Sequence, residues 1–182
     1  MARIWATMAS TEDDSNPLEG FWLEGDSLAP PCQAELDVVD DILTLVSPSE
    51  TSVIYDLGCG DGRICLRATE RFGCKSLGCE IEEDLYKSFE AKIKELGLTE
   101  KIKAVHGDLR DLDLSQATII VLYLLPESVE SIKKNLLQCL ADGIVIVCNT
   151  FSIKGIIPIR TVVCGENNGV TLYLYDSRSL QA

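Results

Sequence analysis

The sequence holds a single histidine, His106, and only two tryptophans in 182 residues. One imidazole cannot build a multi-histidine metal centre, and the eight cysteines contain no Cys-x-x-Cys pair. Four-ligand metal spacing is therefore absent, and no resident metal is expected. No apolar run reaches the roughly 18 residues that a membrane-crossing helix needs. Positive charge is also scarce: 16 Lys and Arg stand against 29 Asp and Glu, for a net charge of −13. Such a chain repels phosphate backbones, so no nucleic-acid partner is expected; basic protein segments or cationic small molecules suit it better. Near the N-terminus there is one Arg, no apolar stretch, and an acidic run at Glu12, Asp13 and Asp14. That pattern is not a secretory signal and gives little support to a transit sequence. A cytoplasmic location with reduced, buried thiols is expected.

What is present is an ordinary globular composition, 46% hydrophobic and 25% charged, of a length that suits one domain. Residues 1–31 read as an irregular N-terminal arm broken by Pro17, Gly20, Gly25, Pro30 and Pro31, with Phe21 and Trp22 as its aromatic pair. Residues 32–182 read as the domain. Gln33 to Val46 has helical apolar spacing at Leu36, Val39, Leu43 and Val46. Strands are predicted over Ser52–Leu57, Lys75–Cys79, Lys101–His106, Ala117–Tyr123 and Gly143–Cys148. Helices are predicted over Asp61–Phe72, Glu82–Leu96 (closed by Gly97) and Glu127–Leu140. Ile157–Cys164 and Val170–Tyr175 read as a closing hairpin around Asn167-Asn168-Gly169. This alternation implies an α/β fold, a Rossmann-like seven-stranded sheet, mostly parallel with a C-terminal antiparallel hairpin and helices on both faces. Ligands of such sheets bind outside the carboxyl ends of the strands.

The segment Asp56-Leu57-Gly58-Cys59-Gly60-Asp61-Gly62-Arg63 follows the first strand and opens the next helix. Its glycines permit positive φ and close approach of a ligand to the backbone. A dinucleotide loop of the form G-x-G-x-x-G needs glycine where Arg63 stands. Asp56 and Asp61 would also repel a pyrophosphate, whereas a sulfonium with an ammonium group would be attracted. Glu80 ends the second strand, where a carboxylate can accept ribose hydroxyls. Asp108 follows the third strand, placed to accept from an adenine amino group, with Leu109 packed on the ring. A turn or cap role for Asp108 stands beside that reading. Together these acids favour S-adenosylmethionine over NAD.

At these residues the chain resembles the class I S-adenosylmethionine-dependent methyltransferases. VIYDLGCGDGR is similar to their first motif, LGCEIEED to the second and HGDLRDLD to the third. The resemblance implies S-adenosyl-L-methionine as cofactor, with the loop Gly58, Cys59 and Gly60 on its methionine part. It implies Glu80 on the ribose, followed by Ile81, and Asp108 with Leu109 near adenine; Asp56 and Tyr123 complete the implied set. A narrower resemblance, through ATIIVLYLLPE, is to a small subgroup whose eukaryotic members methylate lysine in mitochondrial proteins. The chain lacks a membrane-anchoring apolar segment, a departure from those members, and the mitochondrion is the second location the resemblance raises.

For the acceptor, Tyr123 at the end of the fourth strand is the candidate catalytic residue, its ring and hydroxyl lining the methyl-transfer channel. Packing at a strand end is the other reading of this tyrosine. Thr150, Phe151 and Ser152 are candidates for the far wall, and a structural role is read for His106. The region lacks the Asn/Asp-Pro-Pro-aromatic segment of nucleic-acid amino-methylating enzymes. A protein lysine is the leading acceptor; a small-molecule amine or metabolite, or a non-catalytic cofactor-binding module, are the alternatives.

Overall fold

A computed structural model describes residues 33–165 and 169–181. The N-terminal arm, including Phe21, Trp22, Pro30 and Pro31, and Asn167-Asn168 of the hairpin lie outside the described residues.

The element order is α1 (Leu36–Val46), β1 (Val53–Leu57), α2 (Arg63–Phe72), β2 (Lys75–Glu80), α3 (Glu83–Glu95), β3 (Ile102–His106), β4 (Ile119–Leu122), α4 (Pro126–Ala141), β5 (Val145–Asn149), β6 (Arg160–Cys164) and β7 (Val170–Tyr175). Short 3-10 turns occur at Leu109–Asp111 and Ser177–Leu180. The strands form one sheet of order β3-β2-β1-β4-β5-β7-β6. β1 to β5 run parallel, and β7 is antiparallel to both β5 and β6. The expected α/β sheet with its closing antiparallel pair is the one found.

Side chains of the central strands alternate between two apolar layers, as a period of two requires. Ile54, Ile119, Val121 and Val147 pack with α1 and α2. Tyr55, Leu57, Ile120, Leu122 and Ile146 pack with Val129, Ile132, Leu136 and Leu140 of α4. Phe89 and Ile93 of α3 form a third cluster with Cys59, Cys65 and Ile102. Seven cysteines of the described residues are free and buried. No helix of the described residues is long and apolar enough to cross a membrane.

Several boundaries move for identifiable reasons. α2 begins at Arg63 instead of Asp61 because Gly60 and Gly62 take φ of 55° and 76°, outside the helical region. α4 takes in Pro126 as its first residue, where a missing N–H costs nothing. β6 starts only at Arg160, since Pro158 has no N–H to give to a ladder. Gly97 closes α3 as expected: its amide donates to the Lys94 carbonyl at 3.1 Å and that of Leu98 to Ile93 at 2.9 Å, the paired bonds of a Schellman ending. Exposed Lys103 of the outer strand β3, Lys101 just before that strand and Lys75 of β2 surround a shallow groove at the amino ends of the strands. Lysines in that position deter edge-to-edge pairing.

Candidate active site

The sheet order reverses between β1 and β4, so the crevice between their carboxyl ends is the switch point. The Asp56–Arg63 segment lies there. Gly58, Gly60 and Gly62 all have φ between 55° and 82°. The amides of Gly58 and Cys59 both donate to the Cys79 carbonyl, at 2.9 and 3.0 Å, which binds the loop to the end of β2.

Gly62 is there for packing as well as conformation. A Cβ at this position would lie 2.0 Å from ring carbons of Phe89 on α3. The same ring, together with Cys59 Sγ, stands 2.8 and 2.7 Å from where a Cβ on Gly78 would be. Phe89 therefore supports the loop from beneath. A Cβ on Gly60, in contrast, meets nothing within 4 Å. The open side of the loop is the side where a ligand can approach the backbone.

Glu80 closes the loop. Its Oε2 accepts from the Gly60 amide at 2.8 Å, and its Oε1 accepts from the amides of Ile81 and Glu82 at 2.9 and 3.0 Å. The residue is only 7% exposed. Three backbone donors hold the carboxylate in one orientation, leaving acceptor capacity on Oε2 for a hydroxyl. Ile81 is half-buried at the start of the turn into α3.

Asp56 is buried at the end of β1. Burial, and then the carboxylates of Glu80 and Asp61, push it up to about 8. A cation in the crevice would favour its charged form. Asp61 differs: although burial opposes ionisation, Arg63 holds its carboxyl below the usual range through hydrogen bonds and charge. Arg63 Nε reaches Asp61 Oδ1 at 3.0 Å, and its Nη1 donates to the Ala34 carbonyl at 2.6 Å. With Asp61 paired to Arg63 and Asp56 pushed toward its neutral form, the repulsion of a pyrophosphate is smaller here than the bare sequence suggests. Burial and then Asp56 raise the Cys59 thiol far above its ordinary value, so it is a packing thiol and not a nucleophile.

The Gly107 amide donates to the Glu80 carbonyl at 3.0 Å, which brings the Asp108 segment beside Glu80. Asp108 caps the 3-10 turn: its Oδ1 accepts from the Arg110 amide at 2.8 Å, and the Arg110 guanidinium holds its carboxyl low. The turn-cap reading of Asp108 is thus realised in the fold. Leu109 is buried in the same apolar cluster as Leu122 and Leu124. Tyr123 lies one residue past β4, half-buried. The register pairs its neighbour Leu122 with both Leu57 and Cys148, so Tyr123 sits between the glycine loop and the end of β5.

Three contributors were not singled out from the sequence. Phe89 reads as an ordinary helical core position, and only its contact with two glycines reveals more. Arg63 reads as a break in a glycine pattern, while in three dimensions it ties the loop to the residues preceding α1. Asn149 ends β5 at 2% exposure, and Thr150 after it has φ of 65°. A polar residue closing the apolar Ile144–Cys148 run was the available signal. The Thr150 hydroxyl donates to Asn149 Oδ1 at 3.0 Å.

The glycine loop, the buried acids at the ends of β1 and β2 and this strand order define a class I S-adenosylmethionine-dependent methyltransferase. Comparisons with known proteins agree. Residues 56–160 match the model of the ANTKMT methyltransferase domain. A protein-lysine N-methyltransferase of Saccharolobus islandicus is 34% identical over 140 residues, covering 76% of this chain and 87% of that protein. A crystal structure of an RNA methyltransferase from Salinibacter ruber, in complex with S-adenosyl-L-homocysteine, is 37% identical with a TM-score of 0.74. It covers 79% of this chain and 92% of that one. A histone H3 lysine-79 methyltransferase of Dictyostelium discoideum is 30% identical over 94 residues, 44% of this chain and 5% of that protein. The chain belongs to the ANTKMT methyltransferase domain family, and its cofactor is S-adenosyl-L-methionine.

Proposed function

We propose that this methyltransferase acts on the side-chain amine of a protein lysine. The observation that carries the reading is the shortness of two connections at the carboxyl end of the sheet, among the described residues. Only a 3-10 turn stands between β3 and β4, and only Tyr123–Leu125 lie between β4 and α4. Among the described residues no inserted helix encloses an acceptor, as suits a side chain presented by a macromolecule. The name of the Saccharolobus islandicus relative supports lysine, and the acidic balance of the chain suits a basic segment around it.

In this reading the Gly58–Cys59–Gly60 loop holds the methionine part of the cofactor, with Asp56 offsetting its positive charge. Glu80 Oε2 takes a ribose hydroxyl. Ile81 and Leu109 flank the adenine, and Asp108 accepts from its amino group. Bound there, the cofactor supplies a sulfonium methyl group for in-line displacement by a neutral amine. The chain's part is to orient the two reactants and to hold the amine on line. Tyr123, with Asn149 and Thr150 opposite, borders the acceptor's path.

The name of the Salinibacter ruber relative raises RNA as a second acceptor. Charge weighs against it here: Arg63, Arg67, Arg71, Arg110 and Arg178 are all engaged by carboxylates. Incubating the enzyme and tritiated-methyl cofactor with a cell lysate separates these readings. The expected result is label in protein, recovered as methyl-lysine on hydrolysis and strongly reduced with Tyr123→Phe. Label confined to RNA or to small molecules would overturn the lysine proposal.

A further inference from the structure

His106 is the only imidazole in the chain, and the methyl-transfer chemistry does not use it. It ends β3, in register with Glu80 on β2. Its Nε2 lies 3.0 Å from the carbonyl oxygen of Ile81. A carbonyl only accepts, so the proton is on Nε2 and the ring donates. The opposite face of this arrangement is Tyr86, in the first turns of α3: the two rings stack with centroids 5.3 Å apart and planes at 24°. Tyr86 is itself fixed, its hydroxyl donating to Glu90 Oε1 at 3.1 Å.

The carbonyl that His106 grips belongs to the same short turn whose amides grip Glu80. On the inner side, Ile81 and Glu82 donate to the Glu80 carboxylate. On the outer side, Gly107 donates to the Glu80 carbonyl and His106 to the Ile81 carbonyl. The Glu80–Glu82 turn is thus held from two directions, with β3 supplying the outer hold.

We propose that His106, steadied by Tyr86, is a positioning residue for the cofactor: its hydrogen bond to Ile81 sets the turn that aims the Glu80 carboxylate and presents the Ile81 side chain. The inference rests on the assignment of Glu80 to ribose and Ile81 to adenine. It goes beyond that assignment by giving the exposed His106 a role in cofactor affinity and none in the acceptor step. A group that preorganises a binding turn lowers the ordering cost of binding, and its loss appears in affinity.

The test compares Glu80→Ala, His106→Phe and His106→Gln by titration with S-adenosylmethionine and by steady-state kinetics. Phe keeps a ring to stack on Tyr86 but has no donor, whereas the Gln amide can still donate. One lost hydrogen bond to the turn is expected to weaken cofactor affinity roughly three- to tenfold in His106→Phe. The KM for cofactor should rise in step, kcat should stay within about twofold of wild type, and His106→Gln should recover most of the loss. Unchanged affinity in His106→Phe, or no recovery in His106→Gln, would overturn the positioning role while a weakened Glu80→Ala leaves the pocket assignment standing. Unchanged affinity in Glu80→Ala would overturn both.

Discussion

The amide of Gly60 donates to Oε2 of Glu80 at 2.8 Å, across 20 residues of sequence. One bond thereby joins the loop after β1 to the carboxyl end of β2, and the same carboxylate holds the turn into α3 through Ile81 and Glu82. Glu80→Ala leaves three backbone donors short of their partner. An unfolding free-energy loss of about 3 kcal/mol is expected, with water entering the gap to limit it. Glu80→Gln, which retains one acceptor oxygen, should lose roughly half as much. Urea unfolding of the cofactor-free proteins measures both.

Asp56 gives the protein a pH dependence of definite sign. Its folded value is about 8 against an ordinary 3.8, so between those values the folded state binds a proton that the unfolded state does not. The Asp56 contribution to stability is therefore fully present below about pH 4 and is lost as pH rises through about 8, at up to about 1.4 kcal/mol per pH unit in that window. Asp56→Asn should remove this slope and make the cofactor-free protein more stable at pH 9 than wild type. A positively charged ligand favours ionised Asp56, so cofactor binding near pH 6.5 should release a proton in wild type and fewer in Asp56→Asn. Calorimetry in buffers of differing ionisation enthalpy reads that difference.

Gly62→Ala is expected to be severe, because the new methyl would lie 2.0 Å from the Phe89 ring at a φ of 76°. Overpacking and left-handed strain together suggest a loss of roughly 3 kcal/mol. Adding Phe89→Leu to Gly62→Ala should cost less than the sum of the two single changes. A double-mutant cycle by thermal unfolding supplies the coupling.

Much of this was legible in the sequence. Short apolar, β-branched runs marked the strands, helical spacing marked α1, and Gly97 marked a helix end that the structure closes as expected. The acids were legible through position, since each follows an apolar run. What was not legible came from contacts between distant elements. Nothing local to Phe89 says that its ring meets Gly62 and Gly78. Likewise the pairing of Asp61 with Arg63 tempers a charge that the bare sequence leaves at full strength. The boundary errors share one cause: propensity extends an element until its backbone geometry or a missing donor stops it, as at Gly62 and Pro158.

Arg63→Ala tests that tempering. It releases Asp61 and removes the donor to the Ala34 carbonyl. Partial exposure of this pair limits the expected stability loss to about 1 kcal/mol. Urea unfolding of wild type and Arg63→Ala measures that loss.

The most direct test of the Glu80-closed glycine loop as the cofactor site is a calorimetric titration of S-adenosylmethionine into wild type, Glu80→Ala and the distant edge variant Lys103→Ala. The expected result is one site per chain in wild type and in Lys103→Ala, with affinity lowered at least about thirtyfold in Glu80→Ala, as the loss of a buried charge-assisted contact implies. Equal affinity in all three proteins would contradict it.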